Sequence, residues 1–148
     1  MTDTIEWAPT RSLMLACGAE MASKDSVDAV ISIMEGLTVK LIKKAAKMSQ
    51  AGEKLTRASF SMLAEHPVSH IVVSCKKDLT QINKKVKGIM KKNRSSKVDD
   101  SAATAVTVYL AGVVEELIKK ALEICSKDKR MKVTTDDVNA AMQTISTE

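Results

Sequence analysis

The sequence predicts an all-helical protein built as two copies of one short–long–short unit of helices. Three observations carry this. First, the 148 residues are 45% apolar but only 2% aromatic, with five glycines and two prolines. Such a composition favours helices over sheets. Second, the string LIKKA occurs at Leu41–Ala45 and again at Leu117–Ala121, 76 residues apart. Third, both copies lie in long runs whose apolar residues recur at every third or fourth position. The first run holds Val27, Val30, Ile31, Met34, Leu37, Leu41, Ile42, Ala45 and Met48. The second holds Val106, Leu110, Val113, Leu117, Ile118, Ala121, Leu122 and Ile124.

The match extends well past five residues. Met34–Gln50 falls on Leu110–Ser126, with Gly36 on Gly112, Leu37 on Val113 and Met48 on Ile124. In order along the chain, Pro9 to Gly18 predicts a short helix, proline at its first position and glycine at its far end. Ser23-Lys24-Asp25-Ser26 caps the first long helix, with Asp25 and Asp28 in its first turn. Each long helix is expected to run about 27 residues, roughly 40 Å. Thr56 caps a short helix holding Phe60, Met62 and Leu63. Residues 66–79 form a linker whose Val68, Ile71, Val72 and Val73 indicate packing, in part as an extra short helix. Ile82 to Lys92 is the next short helix. Asp99-Asp100-Ser101 opens the second long helix, and Thr134-Thr135-Asp136-Asp137 is a capping-box pattern before Val138, Ala141, Met142 and Ile145. The predicted units are residues 1–65 and 80–148. A unit with so long a middle helix cannot close its own core. It needs a second copy across it, and the chain supplies one covalently.

The net charge is +5, with +1 over the first 78 residues and +4 over the rest. This is compatible with a polyanionic partner. Cys17, Cys75 and Cys125 are far apart and form no CxxC pair, so they read as reduced, buried small residues. There is no signal peptide and no long apolar run, which argues against secretion and membrane spanning. No nucleophile–base–acid set, phosphate-binding glycine loop or catalytic carboxylate pair occurs, so no enzyme, small-molecule substrate or cofactor is expected. His66 and His70 are four apart, a helical metal spacing. Pro67 disturbs the backbone between them and no further ligand is evident, so no metal site is expected. The dearth of aromatics argues against single-strand recognition.

Several strings resemble histones. WAPTRSLMLACGAEMASKD resembles the first helix and loop of archaeal histones, and KVDDSAATAV their loop and middle-helix start. Arg130 and Asp137, seven apart, match the family's arginine–aspartate clamp between second loop and last helix. VYLAGVVEELIKKALEI looks most like the middle helix of eukaryotic histone two-A. The resemblance spans about residues 8 to 145. It implies two histone folds fused in one chain as an intramolecular handshake pseudo-dimer. The first is two-B-like and the second two-A-like, as in the histone doublets of large DNA viruses. Aligning on the archaeal-like ends leaves the second unit gapless. Aligning on VYLAGVVEEL shifts the register by about four residues, and both place Lys97 in the first loop. Some positions depart from the pattern. Met21 stands where the family has a loop arginine, and Ser59 where the clamp aspartate belongs. Lys120 falls on a glutamate of the two-A acidic patch, although Glu115 and Glu123 match others. No lysine-rich tail or two-A-type docking extension is expected.

The resemblance implies double-stranded DNA as ligand, gripped at phosphates by cations and helix N-termini. The richest basic string, NKKVKGIMKKNRSSK, supplies Lys84, Lys87, Lys91, Lys92, Arg94 and Lys97. On a helix, Lys84, Lys87 and Lys91 share one side while Val86, Ile89 and Met90 face inward. The second loop adds Lys129, Arg130 and Lys132; the first unit adds Arg11, Lys54 and Arg57. Arg130 has two readings, a structural clamp with Asp137 or a minor-groove contact, and the clamp is favoured. Lys43, Lys44, Lys119 and Lys120 are expected on an outer solvated face or under the DNA path. The function implied is an architectural chromatin protein that binds, bends and compacts duplex DNA non-specifically within nucleosome-like particles. Its partner would be a second, three/four-type histone pair, itself a doublet or not. The location implied is chromatin in a nucleus, or a viral factory and virion. The alternatives are a histone-fold subunit of a transcription factor and a protein-only helical adaptor.

Overall fold

Ser23 opens the first long helix by accepting the Ser26 N–H at 3.1 Å on its hydroxyl. Asp99 opens the second by accepting the Ser101 N–H at 3.2 Å. These caps satisfy amides that a helix start otherwise leaves bare. The structure, a computed structural model, describes residues 5–48, 55, 75–92, 98–130 and 132–145. Among them the elements are α1 (Trp7–Ala16), β1 (Met21–Ala22), α2 (Lys24–Met48), α3 (Lys76–Lys92), α4 (Asp100–Lys127), β2 (Lys132–Val133) and α5 (Thr135–Thr144). The long helices α2 and α4 contain 25 and 28 residues.

Two starts differ from the sequence expectation. Helix α1 begins two residues before Pro9, which becomes its third residue. A proline there removes no helical hydrogen bond, because first-turn amides have no partner within the helix. Helix α3 begins at Lys76, six residues ahead of Ile82 and inside the span read as linker. Asp78 lies in its first turn, where a carboxylate favours the helix N-terminus. The expected helix after Thr56 and the linker valines lie outside the described residues.

Past the Cys17 C-cap of α1 lies Gly18, whose φ of +117° only glycine adopts without strain. A Cβ there would also sit 3.3 Å from Leu122 Cδ1. Ile5 donates its N–H to Glu35 Oε2 at 3.1 Å, tying the segment before α1 to α2.

Helices α2 and α4 pack on each other. Helix α2 also packs on α3 and α5, both from the second half, while α1 packs on α2, α3 and α4. The apolar faces meet in one core that includes Leu13, Met34, Ile42, Val86, Leu110 and Leu117. Burial of such side chains is worth roughly 1.5–3 kcal/mol each before the entropy of ordering them is subtracted. Buried hydroxyls are satisfied locally. Thr38 donates to the Met34 carbonyl at 2.8 Å, and Thr107 to the Ala103 carbonyl at 2.8 Å, with Asn83 Oδ1 at 3.0 Å. Contrary to the sequence reading, α4 is long and apolar enough, by length and composition, to cross a membrane. Most of it is buried against the other helices, so core packing accounts for its composition.

Two short backbone pairings join the halves. β1 and β2 are parallel, with Met21 opposite Lys132 and Ala22 opposite Val133. Leu55 and Val98 form a second parallel bridge, and the Asp99 N–H donates to the Leu55 carbonyl at 2.8 Å. The segment before α2 thus pairs with the one after α4, and the segment after α2 with the one before α4.

Candidate nucleic-acid interface

The loop between α4 and α5 is built around Asp137. Thr134 is the N-cap of α5, and its N–H and hydroxyl both reach Asp137 Oδ2 at 3.0 Å. This is the capping box expected from the sequence. The same carboxylate receives Arg130 end to end, Nη2 to Oδ1 at 2.7 Å and Nη1 to Oδ2 at 2.9 Å. Such a bidentate pair fixes orientation as well as distance. Asp137 is buried. The Arg130 guanidinium first, and the Thr134 bonds after it, hold its carboxyl at about 2. Arg130 is pushed above its ordinary value by the hydrogen bonds it donates to Asp137 and then to Asp128, the latter at 3.0 Å. The guanidinium is therefore committed to two carboxylates within the loop.

Helix α4 ends in a left-handed turn. Lys129 has φ +57° and is the non-glycine residue with positive φ among the described residues. The Arg130 N–H closes back on the Cys125 carbonyl at 3.0 Å and the Lys129 N–H on Ser126 at 3.0 Å. Glycine usually takes that position. Cys125 Sγ lies 2.9 Å from the Arg130 carbonyl, bracing the turn from inside. Lys129 and Lys132 are exposed on this loop, and β2 sets Lys132 beside Met21.

The second group lies on α3. Val86, Ile89 and Met90 are buried, while Lys84, Lys91 and Lys92 are exposed. Lys87 turns to Asp100 at the start of α4 and forms an ion pair with it. Helix α1 packs against α3 and carries exposed Arg11, whose guanidinium lies 5.9 Å above the Trp7 ring. Lys54, Arg57, Arg94 and Lys97 lie outside the described residues, as do His66 and His70. Among the described residues no group of three His, Cys, Asp or Glu could hold a metal ion.

Lys43 and Lys44 are exposed on α2. Lys119 pairs with Glu115 at 3.1 Å, and Glu115 is buried, so it does not serve an exposed acidic patch. Cys17, Cys75 and Cys125 are buried and form no disulfide. Burial first, and Glu115 second, push the Cys17 thiol up to about 12, far from the thiolate form that reacts. Sequence reasoning missed the Lys87–Asp100 pair, the Trp7–Arg11 contact and the left-handed Lys129. The absence of glycine or asparagine after α4 was the available signal for the last.

Residues 83–142 match the family model described as histone-like transcription factor (CBF/NF-Y) and archaeal histone. The crystal structure of the histone from Methanopyrus kandleri superposes with a TM-score of 0.68, covering 93% of this chain and 92% of that one. The fold is the histone fold. Identity to that histone is 19%, so the likeness speaks for the fold alone. No curated protein matches the sequence. Of the candidate basic residues that are described, Lys129, Arg130 and Lys132 stand on the α4–α5 loop, Lys84, Lys87, Lys91 and Lys92 on α3, and Arg11 on α1, while further exposed lysines lie along α2.

Proposed function

We propose that this chain is an architectural chromatin protein whose two halves are histone folds fused as one intramolecular handshake pseudo-dimer. It binds, bends and compacts double-stranded DNA with little sequence preference. The observation that carries this is the reciprocal pairing of the segments flanking α2 and α4, Met21 with Lys132 and Leu55 with Val98. That pairing is what two crossed copies of one unit require, and it carries Lys129 and Lys132 beside β1. The exposed lysines of α3 add a second basic surface. Neither Lys84, Lys91 nor Lys92 reads a base. Their chemistry is phosphate neutralisation, with counterion release as the driving force. The match of residues 83–142 to a family that includes archaeal histones supports the same reading. The likeness of VYLAGVVEEL to histone two-A favours a two-B/two-A doublet of the viral kind, acting with a second, three/four-type pair in nucleosome-like particles.

Trp7 is the single tryptophan and lies beside Arg11, so its fluorescence reports on the α1 surface directly. Titration with random-sequence duplex should change that fluorescence saturably. The log of the affinity should fall linearly with log salt, with a slope near −5 for about six neutralised phosphates. A flat salt response would reject the reading. Nuclease digestion of DNA reconstituted with the protein and a second histone pair should leave discrete protected lengths. A second reading, a histone-fold subunit of a transcription factor, draws on the matched family's description. Competition between unrelated duplexes separates the two, since sequence selectivity favours only the second.

A further inference from the structure

Met21 is the most exposed large apolar side chain among the described residues, at 51%. It does not sit on a loose loop. β1 is paired with β2, and the next residue, Ser23, donates its N–H to the Val133 carbonyl at 3.0 Å. Ala19 is buried and Ala22 half-buried, so the backbone is anchored on both sides while Met21 stands out into solvent. Its register partner is Lys132, exposed, and the exposed left-handed Lys129 lies three residues earlier on the same loop. Of the carboxylates in that loop and the first turn of α5, Asp128 and Asp137 are engaged by Arg130, and Asp136 is exposed. Glu20, exposed, is the acidic neighbour of Met21 along the chain.

An apolar side chain on a fixed backbone, with lysines at its flank, has the make-up of a minor-groove wedge. The groove is about 6 Å wide and walled by phosphates. Apolar side chains, methionine among them, enter it, part a base step and kink the duplex, while nearby cations hold the walls. The long, unbranched thioether adapts to the step it enters.

We propose that Met21 inserts into the minor groove of bound duplex DNA and unstacks a base step, with Lys129 and Lys132 on the flanking phosphates. This rests on the DNA-binding reading above.

The test uses the full chain and a duplex carrying 2-aminopurine at several T–A steps, where unstacking raises the probe's emission. Binding is followed in parallel by polarisation of an end label. Wild-type protein should raise the emission as it saturates the duplex. Met21→Ser should lose more than about half of that rise while its affinity falls less than about threefold, and Met21→Leu should keep the rise, since leucine also serves as a wedge. Thermal unfolding of Met21→Ser should stay close to that of wild type, because Met21 is 51% exposed and surface substitutions change stability little. An unchanged rise in Met21→Ser, or no rise with the duplex saturated by wild-type protein, overturns the wedge. Failure of the wild-type protein to bind the duplex at all is visible in the polarisation alone, and it rejects the DNA-binding reading together with the wedge.

Discussion

The α4–α5 loop and the outer face of α3 are both rich in cations, and Arg130 of the loop and the outer lysines of α3 are used in opposite ways. In the loop, Arg130 is taken up by Asp137 at 2.7 Å and Asp128 at 3.0 Å, and the pair anchors the start of α5. On α3, Lys84, Lys91 and Lys92 stand exposed, and Lys87, on the same helix, is taken by Asp100. The difference teaches that a basic residue's role depends on whether a carboxylate lies within reach. Where one does, the charge holds the fold together. Where none does, the charge is available to a polyanion.

The comparison breaks first at Asp137. Asp137→Ala removes the α5 capping box and the buried one of Arg130's two carboxylates, and should cost about 2–3 kcal/mol of stability in denaturant unfolding. Mutating the α3 face should do the reverse. Lys84, Lys91 and Lys92 changed together to alanine should leave unfolding within about 0.5 kcal/mol of wild type. The same change should make the salt slope of DNA binding shallower by about three. A loss of stability as large as that of Asp137→Ala would erase the distinction.

Acid sharpens it. The carboxyl of Asp137 is lowered from 3.8 to about 2 on folding, so the unfolded chain takes up its proton first as pH falls. The stability from this pair is present above about pH 4 and is lost as pH drops from there towards 2. Asp137→Asn should flatten that part of the pH–stability curve. A curve as steep as wild type's would mean that other carboxylates dominate.

Lys129 tests both roles in one residue. Its left-handed backbone costs about 1 kcal/mol in a residue with a side chain. Lys129→Gly should therefore raise stability by about that amount while making the salt slope shallower by about 0.9. A variant that gains stability and binds as before would place Lys129 off the DNA path. The smallest effect is expected far from both surfaces. Gly36 lies mid-helix and exposed, with nothing within 4 Å of an added Cβ. Gly36→Ala should add about 0.5–1 kcal/mol and leave binding alone.

Much of the fold was legible because its signals are local. Apolar residues at every third or fourth position mark α2 and α4 without any knowledge of what covers them. Ser23, Asp99 and Thr134 mark the starts of α2, α4 and α5 because capping is a contact over two or three residues. Arg130 and Asp137 were readable as a pair from their spacing of seven. The start of α3 was less legible, since Lys76–Leu79 carries no apolar periodicity of its own. The basic character of the surface was legible as well, but not its division. Nothing in NKKVKGIMKKNRSSK says that Lys87 turns to Asp100 while its neighbours do not.

By itself, the sequence determined that the chain is helical, that LIKKA and its apolar spacing recur, where the long helices start and which faces they bury. Each of these follows from residues within a turn or two of one another. Only the tertiary structure decided that Met21 lies beside Lys132 and Leu55 beside Val98, that Glu115 is buried, and which cations are consumed inside the fold. Those outcomes depend on segments brought together across the crossing of α2 and α4, a distance in sequence over which periodicity and capping carry no information.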